Sequence, residues 1–150
     1  MACRRVVLRE LDRHSLEPRA LGRSDYPTEL PLREVYLLAK HCSGGVVLGF
    51  EQFYSDGGTW KRGHEEARST SEPVRFPTVW NHLEAGVLYS MGLPLLVFVE
   101  DGVTGGIFDH GVTDAFVHRM PSPDMKPDSK RGLQAVFEKW QASVRMRYYQ

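Results

Sequence analysis

The sequence predicts an α/β fold built on a doubly wound, mainly parallel open sheet. Two apolar runs, residues 46–50 and 93–99, lack the alternation of a half-exposed strand. Both are therefore expected to be buried on two faces, as in a parallel sheet covered by helices. Helical apolar patterns at residues 31–43 and 79–92 precede these runs. Helices that alternate with buried strands indicate right-handed crossovers and helices on both faces of the sheet.

The start of the chain departs from this pattern. Residues 4–14 have apolar positions at helical spacing, where a doubly wound sheet normally begins with a strand. The first strand is therefore either absent or supplied by residues 1–5, which are few and charged. Residues 16–21 are expected to be a short extended segment. Pro18 lacks the N–H that a central strand needs, so it indicates either an edge position or the first residue of a strand.

The remaining segments complete the predicted order. Residues 51–76 form a polar connection, and connections of this length in a compact domain are usually functional or mobile. A glycine-rich loop at residues 101–111 precedes a short last strand at residues 115–118. Residues 133–149 are expected to form a long closing helix with its apolar side on the domain.

Composition fits one globular domain spanning residues 1–150. Of the residues, 41% are hydrophobic and 25% are charged, which predicts a real core. The formal net charge is zero, which argues against a dedicated nucleic-acid binder. We expect a cytoplasmic protein without a membrane span, because no apolar run is long enough to cross a bilayer.

Metal and thiol chemistry have little support in the sequence. Cys3 and Cys42 form no C-x-x-C pair, and the histidines lack the spacing of metal ligands. We therefore predict neither a metal site nor a cofactor. The glycine-rich loop at residues 101–111 matches no phosphate-binding fingerprint, and an ordinary loop is the better interpretation.

The most informative segment is the helix pattern that follows Thr78, a favoured N-cap residue. Open α/β sheets bind ligands at the carboxyl ends of their strands, and free N–H groups at the start of this helix would favour an anion there. Glu84 lies in its second turn, with Trp80 and Leu88 one turn away on the same face. A carboxylate on an apolar stripe requires a partner or a raised pKa, and Asn81 could orient it. The alternative is that Glu84 is an ordinary solvent-facing residue.

Residues 77–97, from Pro-Thr-Val-Trp-Asn-His-Leu-Glu-Ala-Gly to Gly-Leu-Pro-Leu-Leu-Val, resemble the Glu-x-Gly helix and Gly-x-Pro strand of the nucleoside deoxyribosyltransferase-like superfamily. The pattern is also similar to one in bacterial TIR-like domains. The resemblance covers roughly residues 16–110 and implies a flavodoxin-like sheet. It also implies that Glu84 acts at the anomeric carbon of a ribosyl group, either as a nucleophile or by holding the ribose and stabilising positive charge.

The same resemblance suggests residues that surround the ligand. Trp80, Asn81 and Gly49 would shape the pocket, and Asp25 with Tyr26 would contact the sugar or base. The first strand of the family and a second acidic residue in a family context are not recognisable. Asp25 also fits ordinary turn chemistry in Asp-Tyr-Pro.

Two functions follow from this reading. The first is a domain that binds a nucleotide or NAD as substrate and cleaves or transfers at the N-glycosidic bond through Glu84. The alternative is a non-catalytic nucleotide-sensing or assembly module with the same fold. A sheet without its first strand exposes an edge, so a homo-oligomer is expected, with a protein partner as a further possibility.

Overall fold

A computed structural model describes residues 2–20 and 31–149, and these residues form a mixed α/β fold. The helices are α1 (Ala2–Arg13), α2 (Pro31–Ala39), α3 (Val79–Ser90) and α4 (Pro127–Tyr148), with a short 3-10 helix at Gly106–Phe108. The strands are β1 (Gly45–Gly49), β2 (Phe53–Ser55), β3 (Gly58–Trp60), β4 (Arg68–Thr70), β5 (Val74–Phe76), β6 (Leu95–Val99) and β7 (Val117–Arg119). The α/β class predicted from the sequence is confirmed, and the flavodoxin-like arrangement stays a prediction.

The main sheet in the described residues has three parallel strands in the order β1-β6-β7. Gly45 of β1 pairs with Leu95 of β6, and Val97 of β6 pairs with Val117 of β7. The strand order follows the chain order, so these strands do not create the order reversal at which such sheets usually bind ligands. Within this sheet β1 is an edge strand, because it pairs only with β6.

Helices cover both faces of this sheet. On one face, Leu96 and Phe98 of β6 pack with α1 and with Phe137 of α4. On the other face, Val97 of β6 packs with Ala85 of α3 and with the 3-10 helix. Successive side chains of β6 therefore enter two separate cores, which is the reason for its continuous apolar sequence.

Helices α3 and α4 begin at residues that favour a helix start. Thr78 is the N-cap of α3, where its hydroxyl accepts a hydrogen bond of 3.2 Å from the N–H of Trp80, as its position in the sequence predicts. Helix α4 begins at Pro127, earlier than the apolar pattern from residue 133 predicted. Its first turns carry few apolar residues, and Pro127 is favoured at a helix start.

The polar connection between β1 and α3 is a folded ribbon and not an open loop. Strands β2 and β5 pair antiparallel, with Phe53 opposite Phe76, and β3 and β4 pair antiparallel between them. Phe76 is in contact with Trp60 across the ribbon, with ring centroids 5.6 Å apart. Arg75 fastens the ribbon to the loop after β6 through a 3.0 Å hydrogen bond to the carbonyl of Asp101.

Some segment boundaries differ from the sequence predictions. Helix α2 ends at Ala39 and not at residue 43, because the chain turns there to enter β1. Residues 16–20, predicted as an edge strand, belong to no strand. Asp25 and Tyr26 lie outside the residues that the structure describes. No helix within the described residues is long and apolar enough to cross a membrane.

Phe137 is the centre of the core between α1, α4 and β6. Its side chain is 0% exposed and stacks near the rings of Phe98 and His14, at centroid distances of 5.9 and 6.1 Å.

Phe137→Ala should lower the free energy of unfolding by about 3–5 kcal/mol, because it removes a ring and leaves a cavity. Urea denaturation followed by circular dichroism measures this change. Phe116→Ala is the control, since that ring is 71% exposed and should change stability by less than about 0.5 kcal/mol. Equal losses in the two variants would show that Phe137 is not central.

Candidate functional site

A cavity of about 720 Å³ lies beside the edge strand β1. Its wall includes Gly45 and Leu48 of β1, together with Glu84 of α3 from one face of the sheet and Val144 of α4 from the other. Further described lining residues come from α1, the segment after it, α2 and the turn into β1: Val7, Leu11, Leu16, Arg19, Val35, Leu38, His41 and Cys42. The cavity therefore wraps around the open edge of the sheet, where a strand preceding β1 would pair in a larger sheet.

Glu84 is partly buried in the wall of this cavity. In the described parts of the chain, no hydrogen bond or ion pair joins its carboxylate to another residue. Burial raises the pKa of the Glu84 carboxyl above its ordinary value, and no positive charge among residues 2–20 and 31–149 compensates for it. A carboxylate that is desolvated and unpaired next to an open cavity is available for a ligand.

Two neighbours of Glu84 on α3 contact β1 and define the position of Glu84 along that strand. One turn before it, the Asn81 amide donates a hydrogen bond of 3.3 Å to the carbonyl of Leu48, near the carboxyl end of the strand. One turn after it, Leu88 packs against Gly45 at the amino end. Because α3 runs antiparallel to β1, Glu84 lies near the middle of the strand, beside its free edge.

The structure does not bring Trp80 and Asn81 together with Glu84 in the cavity. Neither residue lines the cavity, and the Trp80 side chain is exposed. Asn81 binds the backbone of β1 instead of orienting the carboxylate, and its amide oxygen is buried without a partner in the described residues. Asn81 therefore acts as a link between α3 and β1, at the carboxyl end of the sheet.

Gly49 is buried, and the ring of Phe108 covers its α-carbon so closely that a β-carbon would overlap it. Gly49 thus allows the 3-10 helix to pack on β1, and on this side Phe108 fills the space that a ligand would need. Asp25 and Tyr26, the other predicted binding residues, lie outside the described residues. Glu84 is therefore the one predicted site residue that the described structure places in the cavity.

Sequence reasoning missed several polar residues of the cavity wall. Arg19 and Arg145 line it, and so do Cys42, Tyr148 and Tyr149. Burial raises the pKa of the Cys42 thiol, although the positive charge of Arg19 partly opposes this rise. The signal in the sequence was the pair Gly44-Gly45 at the start of β1. A β-carbon on Gly44 would collide with Val144, so the last turns of α4 pack against this point of the chain.

A second cavity, of about 600 Å³, lies at the carboxyl ends of β6 and β7. His118 lines it beside Cys3 and Met120, and burial lowers the pKa of the His118 imidazole. Its carboxylates have partners: Glu100 accepts a hydrogen bond of 2.7 Å from the N–H of Glu51, and Asp101 pairs with Arg119. Among residues 2–20 and 31–149, no cluster of His, Cys, Asp or Glu could hold a metal ion.

The cavity beside β1 suits one kind of chemistry. Its wall is largely apolar around the partly buried Glu84 carboxyl, and Arg4, Arg19 and Arg145 also line it. A carboxylate in such a place stabilises positive charge that develops on a ligand, because the low dielectric strengthens the attraction. Comparison with protein-family models, with curated proteins and with solved structures finds no match to this chain.

The unpaired carboxylate of Glu84 should make stability depend on pH. In the unfolded chain it ionises near the ordinary pKa of 4.5, whereas the folded chain holds the proton to a higher pH. The free energy of unfolding therefore falls as pH rises through this interval, and the deficit persists above it. Glu84→Gln should raise Tm by roughly 1–3 °C at pH 7, because a partly screened carboxylate contributes less than about 1 kcal/mol.

Thermal unfolding at pH 7 and pH 4 measures this difference, which should become small at the lower pH because Glu84 is then mostly protonated in both states. Glu138→Gln is a matched control, since Glu138 is an exposed residue of α4. A lower Tm for Glu84→Gln at pH 7 would mean that the carboxylate has a stabilising partner.

Proposed function

We propose that this domain binds a nucleotide or an NAD-like molecule in the cavity beside β1 and cleaves or transfers at its N-glycosidic bond through Glu84. The observation that carries the proposal is the partly buried, unpaired Glu84 carboxylate in the wall of a ligand-sized cavity. The resemblance of residues 77–97 to the deoxyribosyltransferase-like pattern supports the same role, because it assigns the ribosyl carbon to this glutamate.

Glu84 can act in two ways at the anomeric carbon. Breaking an N-glycosidic bond gives the sugar oxocarbenium character, and an adjacent carboxylate stabilises that charge electrostatically. Alternatively, the carboxylate attacks the carbon and forms a glycosyl ester, which water or a second base then opens. In both cases the ionised form is required, and a positively charged ligand in the cavity would favour ionisation of Glu84.

The absence of a second free carboxylate in the described cavity wall favours one class of leaving group. Glu17 also lines the cavity, but it pairs with Arg19 at 3.3 Å. A neutral purine or pyrimidine leaves more easily when an acid protonates it. A pyridinium base, as in NAD, leaves as a neutral molecule and needs no proton. Glu84 acting alone is therefore better suited to an NAD-like substrate, with no additional cofactor.

Release of free base tests the proposed reaction. Purified protein incubated with NAD, or separately with nucleoside 5′-monophosphates, should release the base, as followed by chromatography. Glu84→Gln should slow release at least about a hundredfold, because it removes the charge that stabilises the transition state. Glu138→Gln should retain the wild-type rate. Equal rates in wild type and Glu84→Gln would exclude Glu84 from the chemistry.

A second candidate function is a non-catalytic sensing or assembly module. It is favoured by the exposed apolar side chains on α2 and α3, because a monomer gains nothing from leaving them in water. The exposed residues are Leu32, Tyr36 and Leu37 of α2 and Val79, Leu83 and Tyr89 of α3. Exposed Arg33 and Lys40 lie beside those of α2, and the Lys40 ammonium is 5.1 Å from the centre of the Tyr36 ring. In this function the cavity binds a nucleotide, and the helical surface carries the contact between copies of the chain.

Light scattering distinguishes the two functions. An assembly module should show a mass of two or more copies, either constitutively or after addition of NAD. Leu83→Lys places a charge on the exposed surface of α3 and should return the protein to a monomer, because a buried unpaired charge is costly. Lys130→Gln on α4 is the control and should leave the mass unchanged. A monomer under both conditions would contradict the assembly function.

A further inference from the structure

We propose that the free edge of β1 binds an extended peptide segment of another protein, which adds a strand to the sheet and places a lysine or arginine against Glu84. This inference goes beyond the proposed reaction, because it concerns the backbone of β1 and not the chemistry of a glycosidic bond. A strand bound in this place would occupy the cavity and exclude a nucleotide from Glu84. Such a peptide would therefore inhibit the proposed reaction.

The directions of the hydrogen bonds show which backbone groups of β1 face away from β6. In a parallel strand the N–H and C=O of one residue point to the same neighbour, and those of the next residue point the other way. Gly45 donates a bond of 2.9 Å to the carbonyl just before β6, and the carbonyl of Gly49 accepts one of 2.9 Å from the N–H just after β6. Gly45, Val47 and Gly49 therefore direct their backbone groups toward β6. The backbone groups of Val46 and Leu48 consequently face the free edge.

Three of these four edge groups have no partner in the described residues. The carbonyl of Leu48 accepts bonds from the Asn81 amide at 3.3 Å and from the N–H of Phe50 at 3.2 Å. No residue among 2–20 and 31–149 bonds with the N–H of Leu48 or with either backbone group of Val46. Val46 and Leu48 both line the cavity. Unpaired strand groups of this kind are a template for another strand.

The surroundings of β1 favour a single extended segment over a second folded copy of the chain. The cavity of about 720 Å³ is lined by residues of all four helices as well as by β1. The edge of β1 is therefore recessed between helices, and the same edge of a second copy is recessed in the same way. Two such edges cannot reach the spacing of about 4.8 Å that strand pairing requires. An extended peptide can enter the cavity, because it brings no helices of its own.

The two faces of an added strand would meet different walls. On one face of the sheet, Val47 packs with Ala85 of α3, the helix that carries Glu84. On the other face, Val46 and Leu48 pack against the apolar core between α1 and α4. Successive side chains of a strand alternate between the two faces. A residue directed toward α3 would thus have neighbours directed toward the apolar wall.

Glu84 supplies the charge that selects the peptide. In the described residues its carboxylate has no hydrogen bond or ion pair, although it is partly buried in the cavity wall. A lysine or arginine of the added strand would pair with it, and the main-chain hydrogen bonds would hold that residue in register. Main-chain bonds would therefore give the affinity, and one basic residue between two apolar residues would give the specificity.

Selection from a phage-displayed library of random heptapeptides tests this pattern. Wild-type protein should enrich sequences with a lysine or arginine between two residues of valine, isoleucine or leucine. The tightest synthetic heptapeptide then serves as the probe, and fluorescence anisotropy measures its binding. Replacement of its basic residue by norleucine should weaken binding about tenfold or more, because a charge-assisted contact is lost. N-methylation should weaken binding at every second position only, because alternate N–H groups of an added strand face β1.

Variants of the protein test the role of Glu84 in peptide binding. Glu84→Gln should weaken binding of the basic peptide about tenfold and leave binding of the norleucine peptide unchanged. Glu138→Gln is the matched control and should change neither. Thermal unfolding checks that both variants remain folded. Equal effects of Glu84→Gln and Glu138→Gln on the basic peptide would overturn the proposed pairing.

Amide hydrogen exchange followed by NMR tests the edge itself. In the free protein the amides of Val46 and Leu48 should exchange faster than the amide of Val47, which is bonded within the sheet. Bound peptide should slow exchange at Val46 and Leu48 and leave Val47 nearly unchanged. Equal protection of all three amides in the free monomer would mean that the chain covers its own edge. The same protection in a dimer would mean that a second copy covers it.

Either of those last two results would overturn the peptide site, and so would a selection that enriches no basic residue between apolar residues. The outcome is separable from that of the proposed reaction. Base release that depends on Glu84, without peptide binding at β1, would keep the reaction and reject the peptide site. Peptide binding at β1 without base release would keep the peptide site and reject the reaction.

Discussion

The burial of β6 on both faces is the constraint on which the rest of the structure depends. Val97 and Phe98 are 0% and 1% exposed, although their side chains point to opposite sides of the sheet. Each side needs its own cover of helices, and the chain supplies α3 on one side and α1 with α4 on the other. Because β1 and β7 flank β6, the edge of the sheet at β1 and the cavity beside it are positioned by this double packing.

This arrangement explains how a carboxylate can remain partly buried without a partner. The Asn81 amide binds the carbonyl of Leu48 and Leu88 packs on Gly45, so α3 is held at two points along β1. Glu84 lies between these points, so its partly buried position follows from the way α3 is held against β1. The cost of its desolvation is therefore carried by the packing of α3, as is common where a group is kept available for a ligand.

Much of the fold could be predicted from local patterns. The apolar run of β6 and the N-cap at Thr78 specify their structure within a few residues, because each depends on neighbours in sequence. The helix pattern left a solvent-facing Glu84 open, and the predicted open sheet placed its ligand at the carboxyl ends of the strands. The cavity that Glu84 lines lies instead along the free edge of β1, and the function of Glu84 rests on proposal. Segments whose structure depends on long-range contacts were harder to predict: the ribbon of residues 51–76 has short strands whose pairing partners are remote in sequence.

The residues of the candidate site also depend on long-range contacts that the sequence does not reveal. Asn81 was expected to orient Glu84, but the nearby carbonyl of Leu48 takes its hydrogen bond, and only the approach of α3 to β1 reveals this. The sequence analysis did not single out Arg145, since its place in the cavity wall depends on α4 meeting the turn at Gly44. Gly49 was a candidate for contact with a ligand, yet the Phe108 ring from sixty residues later covers it.

The ribbon between β1 and α3 has a consequence for how the chain can vary. Its two ends meet, since Phe53 lies opposite Phe76, so everything between them closes on itself. Residues could be inserted or deleted at its tip, around Lys61 to Ala67, without changing the distance that separates β1 from α3. The tip is thus a natural place for a label or an inserted peptide, which would leave Glu84 and its cavity where they are.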